Sequence, residues 1–88
     1  MTRDRVTHET AVAVFARDRG CVAVELGEWA GTCAGPLTLD HVREHAMMGK
    51  RAPSDMAHLV SLCWHHHLDG WATSHRPALR EYLARVTA

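Results

Sequence analysis

The sequence predicts a small α+β domain in which two short strands and a following helix are flanked by an N-terminal and a C-terminal helix and pinned by a cysteine-rich knuckle. Three observations carry this. Three cysteines and eight histidines stand in a chain of 88 residues, with four of the histidines between His58 and His67. Residues 37–42 and 59–62 have strand-like composition, and a polar stretch broken by glycine and proline lies between them. Apolar residues recur at helical spacing near both ends.

Over residues 8–19, Ala11, Val12, Phe15 and Ala16 fall at helical spacing. Thr7 or Thr10 can cap the start, and Gly20 supplies a stop. Gly20, Gly27, Gly31, Gly35 and Pro36 then surround Cys21 and Cys33, so residues 20–36 read as a long knuckle without a regular element. Leucine and threonine alternate into Asp40 and His41 in the manner of a short strand, and residues 59–62 form a second one. The loop between them carries Gly49, Lys50, Arg51, Pro53 and Ser54. A helix opens around Cys63 and runs to about Asp69, where Gly70 ends it. In the last helix Leu79, Tyr82, Leu83 and Val86 fall at i, i+3, i+4 and i+7, with Arg76, Arg80 and Arg85 off that stripe.

A chain of this length forms one domain, spanning residues 1–88, and buries only about 60 to 65% of its unfolded surface, so its core needs a staple. Ten basic and ten acidic side chains give a formal charge of zero, which leaves no global field to draw the chain onto nucleic acid or an anionic membrane. No apolar run approaches the roughly 20 residues of a membrane span, and residues 1–6 lack the apolar stretch of a secretory signal. These features point to a cytoplasmic protein that does not engage a membrane. An odd number of cysteines cannot complete a disulfide framework, and cytoplasmic thiols stay reduced, so metal is the better use for them.

Cys63 and His66 lie three residues apart and can face one cation from adjacent turns, while Cys21 and Cys33 offer two further ligands from the knuckle. The set predicts a tetrahedral Cys3His zinc site of structural type. His67, at i+4 from Cys63, could reach the same metal, and three buried thiols acting as small hydrophobes are the alternative use. Three consecutive histidines on a helix fan out by about 100° each, so at most one can complete each site, and His65 is expected in solvent.

The order Leu37, Thr38, Leu39, Asp40, His41, Val42, followed by His58 and then by Cys63, Trp64, His65, His66, His67, resembles the HNH endonuclease signature. The likeness covers residues 21–75, and the wider sequence is similar to small HNH proteins of actinobacterial phages. The resemblance implies the ββα-metal HNH fold with a zinc knuckle. It implies His41 as the general base that activates water, Asp40 and His67 as ligands of a catalytic divalent metal, and His66 as the zinc ligand. His58 stands where the family has an asparagine that orients the loop holding the base, so it either keeps that role or adds a metal ligand. DNA is the implied substrate, cut on one strand or both, and a phage terminase large subunit the implied partner.

The chemistry favours the same residue types. Phosphodiester hydrolysis needs a base whose pKa is near neutral, which histidine supplies. One carboxylate with one imidazole suits Mg²⁺ or Mn²⁺ with tolerance for Ni²⁺ or Co²⁺, whereas the thiolate site keeps Zn²⁺. Neighbours on a regular strand point to opposite faces, so Asp40 and His41 address one cleft only if the strand ends or bulges there, and that irregularity is expected. Lys50 and Arg51, with Arg76 and Arg80, either contact phosphates or form an ordinary solvated face. Met47 and Met48 read as packing or loop residues, Trp29, Trp64 and Trp71 as core or zinc-site cover, and His8, His45 and His75 as surface. A zinc-stabilised binding module that no longer cuts, and a purely structural zinc domain, fit the same framework.

Overall fold

The computed structural model describes residues 6–42 and 54–87. Lys50, Arg51, Met47, Met48 and His45 lie outside these residues. The first helix, α1 (His8–Asp18), is capped by Thr7, whose hydroxyl accepts from the Thr10 backbone N–H at 3.1 Å. Its C-cap is Arg19, in left-handed conformation with φ 58°, one residue before the glycine expected to end the helix.

The knuckle is more regular than its glycines suggest. A turn of helix, α2 (Val22–Glu25), and a 3-10 turn at Ala30–Thr32 lie within it. Five residues without glycine follow Cys21, and two of them, Val22 and Ala23, are fully buried. Tertiary burial outweighs the turn-forming flanks.

Strands β1 (Leu37–His41) and β2 (Leu59–Cys63) pair antiparallel, with Leu37 opposite Cys63, Asp40 opposite Val60 and His41 opposite Leu59. All five residues of β2 are buried, because α1, α2, α3 (Trp64–Leu68) and α5 (Arg76–Val86) all pack on it. A short α4 (Trp71–Ser74), which the sequence reading did not anticipate, links α3 to α5. Val22, Ala23, Val42, Val60, Leu62, Ala72, Leu79, Tyr82 and Leu83 form one core. No helix among the described residues is long and apolar enough to cross a membrane.

A buried polar hub joins α1, β2 and α5. The Asp18 carboxylate accepts from the Tyr82 hydroxyl at 2.7 Å, from the Ser61 N–H at 2.8 Å and from Arg17 Nε at 2.7 Å. The Arg17 guanidinium also donates to the carbonyls of Met56 and Leu59, both at 2.6 Å. With its lone pairs occupied from three elements, this carboxylate satisfies the condition under which a buried charge is tolerated. Burial first, then the Asp18 hydrogen bond and charge, push the Tyr82 phenol up to about 12.

Candidate functional site

The chain brings Cys21, Cys33, Cys63 and His66 together, their ligand atoms all within 4.8 Å of one another. Three local devices supply them. Cys21 precedes α2, Cys33 follows the 3-10 turn, and Cys63 caps α3, whose first turn carries His66. His66 Nδ1 lies 3.6 Å from Cys21 Sγ, 3.6 Å from Cys33 Sγ and 3.1 Å from Cys63 Sγ. A tetrahedral zinc with ordinary Zn–S and Zn–N bonds separates sulfur from nitrogen by about 3.6 Å. The donor set and its spacing therefore fit a metal such as zinc.

Surrounding groups prepare the ligands. The Cys63 N–H donates to Cys21 Sγ at 3.3 Å, and the His66 N–H to Cys63 Sγ at 3.4 Å. Burial opposes ionisation of Cys63, but the backbone N–H groups of His66 and Ala34, together with hydrogen bonds from Cys33 and Cys21, bring that thiol below its ordinary value. Burial and the two neighbouring sulfurs push the Cys33 thiol up to about 12. Three sulfurs this close cannot all carry charge without a cation among them. The Thr32 hydroxyl donates to the Trp29 carbonyl at 2.7 Å and faces His66 Nε2 at 3.1 Å. Its one proton is committed, so it accepts from Nε2–H and leaves the Nδ1 lone pair for the sulfur cluster.

Of the three tryptophans, Trp71 alone covers this site, edge-on to His66 with ring centroids 5.7 Å apart. Trp29 and Trp64 are exposed, contrary to their reading as core or cover. Trp64 lies against Gly35, where φ is +82° and an added Cβ would come within 2.5 Å of the Trp64 Cβ. His75 is not a free surface residue: its ring stacks on Trp71 at 4.2 Å and its Nδ1 donates to the Trp71 carbonyl at 2.7 Å. His65 is half-exposed and pairs with Asp69 at 3.0 Å.

A second constellation lies on the other side of α3. His67 Nε2 stands 3.2 Å from Asp40 Oδ1, and His67 Nδ1 stands 2.6 Å from the Thr38 hydroxyl. Asp40 is buried and also holds the Arg76 guanidinium, whose Nη1 and Nη2 reach the two carboxylate oxygens. Arg76, read from sequence as a candidate phosphate contact, is thus the cation of Asp40 here. Donors of a divalent ion in cis positions at about 2.1 Å are about 3.0 Å apart, close to the spacing of Asp40 and His67.

His41 and His58 are not part of that pair. Of the two irregularities expected at His41, a strand end or a bulge, the first is present: the register of β1 is regular to His41, where the strand ends. Pleating consequently buries Asp40 and exposes His41. His41 Nε2 meets the Ser54 hydroxyl at 3.0 Å, while His58 Nδ1 bonds Asp55 Oδ1 at 2.7 Å. Both histidines therefore grip the short segment that leads into β2.

Sequence reasoning missed Thr32, Thr38, Asp18 and the Arg76–Asp40 pair. Thr38 had a signal, since it shares a strand face with Asp40 two residues on. The Arg76 contact spans 36 residues and had none. No protein-family model matches the chain, and no curated protein or solved structure matches it.

Proposed function

We propose that this chain is a metal-dependent endonuclease of the HNH, ββα-metal type that hydrolyses DNA phosphodiester bonds, its fold held by a structural zinc at Cys21, Cys33, Cys63 and His66. The observation that carries the reading is the approach of Asp40 Oδ1 to His67 Nε2 at 3.2 Å, one residue from His41. The succession β1, β2, α3, with Asp40 and His41 ending the first strand and the histidines on the helix, supports it.

Asp40 and His67 would hold Mg²⁺ or Mn²⁺, which supplies charge neutralisation at the phosphate and at the leaving oxygen. Asp40 must then share its carboxylate between that cation and Arg76, or release the guanidinium to the phosphate. His41, exposed at the open end of β1, takes a proton from water as the water oxygen attacks phosphorus. The P–O bond to the leaving oxygen breaks, and that oxygen gains a proton from solvent. His58 keeps the asparagine's loop-orienting role, its ring bonded to Asp55 in the segment that also contacts His41. Likeness to the phage proteins supports a place in DNA packaging beside a terminase large subunit.

A zinc-stabilised binding module is the second reading, favoured by the Arg76 guanidinium that neutralises Asp40 without a metal. A plasmid-nicking assay separates the two. Nicked or linear product that requires Mn²⁺ or Mg²⁺ and disappears with chelator is the expected result. Intact supercoiled plasmid at every metal concentration would leave the binding module.

A further inference from the structure

Two adjacent histidines serve two different places in this molecule, although they share a helix turn and identical side chains. His66 presents Nδ1 to the three sulfurs, and His67 presents Nε2 to Asp40. In each ring the opposite nitrogen faces a threonine hydroxyl. Thr32 lies 3.1 Å from His66 Nε2, and Thr38 lies 2.6 Å from His67 Nδ1. In both cases the hydroxyl proton is already given to a carbonyl, that of Trp29 at 2.7 Å and that of Leu62 at 2.8 Å.

We propose that Thr38 is the positioning residue of the Asp40–His67 site, fixing the His67 proton on Nδ1 so that the Nε2 lone pair is offered, beside Asp40, to a divalent cation. The proposal rests on the nuclease reading and assigns that site a residue outside its ligand set. A threonine hydroxyl has one proton to donate, and at Thr38 the Leu62 carbonyl takes it. The oxygen that faces His67 can only accept, so Nδ1 must carry the hydrogen. Imidazole in its neutral form has one N–H, and Nε2 is left with its lone pair. The register contributes as well. Thr38 pairs with Leu62 across the sheet and lies two residues from Asp40 on the same face, so one strand sets both the carboxylate and the ring beside it. Thr32 and Thr38 thus give neighbouring histidines opposite tautomers, which keeps the thiolate site and the carboxylate site from exchanging ligands.

The test uses the zinc-loaded full chain, with Thr38→Val, which keeps the β-branched shape and removes the hydroxyl, and Thr38→Ser, which keeps the hydroxyl. Mn²⁺ affinity is read by electron paramagnetic resonance, and ring nitrogen shifts by NMR with saturating Mg²⁺. Thr38→Val is expected to bind Mn²⁺ about 10- to 100-fold more weakly, the usual effect of removing an outer partner of a metal-ligating histidine. Thr38→Ser should recover most of that loss. Zinc content and the His66 signals should not change. In the parent protein His67 should carry its proton on Nδ1. Equal Mn²⁺ affinity in Thr38→Val and parent overturns the proposal, as does a parent His67 protonated on Nε2, a measurement that needs no variant to fold. A parent chain that takes up zinc but no Mn²⁺ overturns this proposal and the nuclease reading together.

Discussion

The zinc proposed at Cys21, Cys33, Cys63 and His66 should be required for folding, and the structure gives the reason. From Trp29 to Leu37 every side chain is exposed except the half-buried Cys33. The stretch contributes no apolar residue to the core, and among the described residues its ties are polar: the Trp64 N–H to the Pro36 carbonyl at 2.9 Å, the His65 N–H to the Ala34 carbonyl at 3.0 Å, the Ala34 N–H to the Cys63 sulfur, Thr32 on His66, and the pairing of Leu37 with Cys63. The metal would join this segment to the start of α2 and to the β2–α3 corner. Structural zinc in small domains contributes about 10 to 16 kcal/mol at neutral pH, against a net domain stability of about 5 to 15 kcal/mol. Subtracting the first from the second gives about +5 to −11 kcal/mol for the metal-free chain, below zero over most of that range. The assay is thermal denaturation followed by circular dichroism, with and without a strong chelator, beside elemental analysis. About one zinc per chain is expected, with loss of the cooperative transition in chelator and its return on adding Zn²⁺ but not Mg²⁺. Cys63→Ala should behave as the chelated protein does. Metal-free protein as purified, or a melting curve indifferent to chelator, would refute the reasoning.

Other outcomes follow from the remaining contacts. Tyr82→Phe removes a hydrogen bond to a charged, buried carboxylate and should cost about 1.5 to 3 kcal/mol, each kcal/mol lowering Tm by about 4 to 8 °C. Because the Tyr82 phenol is raised from 10 to about 12, folding favours its neutral form. That contribution is complete below pH 10 and fades as pH rises through 12, so the Tm gap between parent and variant should close over that interval. Asp40→Ala and His67→Ala should weaken Mn²⁺ binding while leaving zinc content unchanged, with part of the lost activity returning in excess Mn²⁺, as titrated plasmid-nicking rates would record. His58→Asn should leave Mn²⁺ affinity unchanged and preserve or raise activity, since the His58 ring is engaged by Asp55. A clear fall in affinity would make His58 a ligand.

The elements that bury an apolar stripe or a full strand were legible in the sequence. Leu79, Tyr82 and Leu83 are buried as their spacing requires, and residues 59–62 all lie inside β2. The Cys3His set was legible for a different reason: the turn-rich flanks of Cys21 and Cys33 offered those thiols no core to enter. What was not legible depends on contacts between distant residues. Val22 and Ala23 form a helical turn because they enter the core where α2 packs on β2, not because of local propensity. Asp18 reads as an ordinary helix-terminal acid until Ser61 and Tyr82, 43 and 64 residues away, close on it. Arg76 reads as a solvent cation until α5 lays it on Asp40. In the site, Asp40 and His67 were anticipated as ligands of one cation, and the fold brings Asp40 Oδ1 and His67 Nε2 within 3.2 Å. His41 was expected to address the same cleft where the strand ends or bulges; the strand ends there, and its last pair, with Leu59, leaves His41 exposed.

His41 is proposed to perform chemistry rather than to hold the fold. His41 is exposed, and its side chain meets the hydroxyl of Ser54 at 3.0 Å, so its removal should leave zinc content, Tm and Mn²⁺ binding nearly unchanged. Removing a positioned general base lowers rate by roughly 10² to 10⁴. The decisive measurement is therefore the single-turnover rate of plasmid nicking by His41→Ala and by the parent protein in matched Mn²⁺ titrations. A fall of that size in a folded, metal-competent variant is the predicted result. Equal rates in the two proteins would contradict the mechanism.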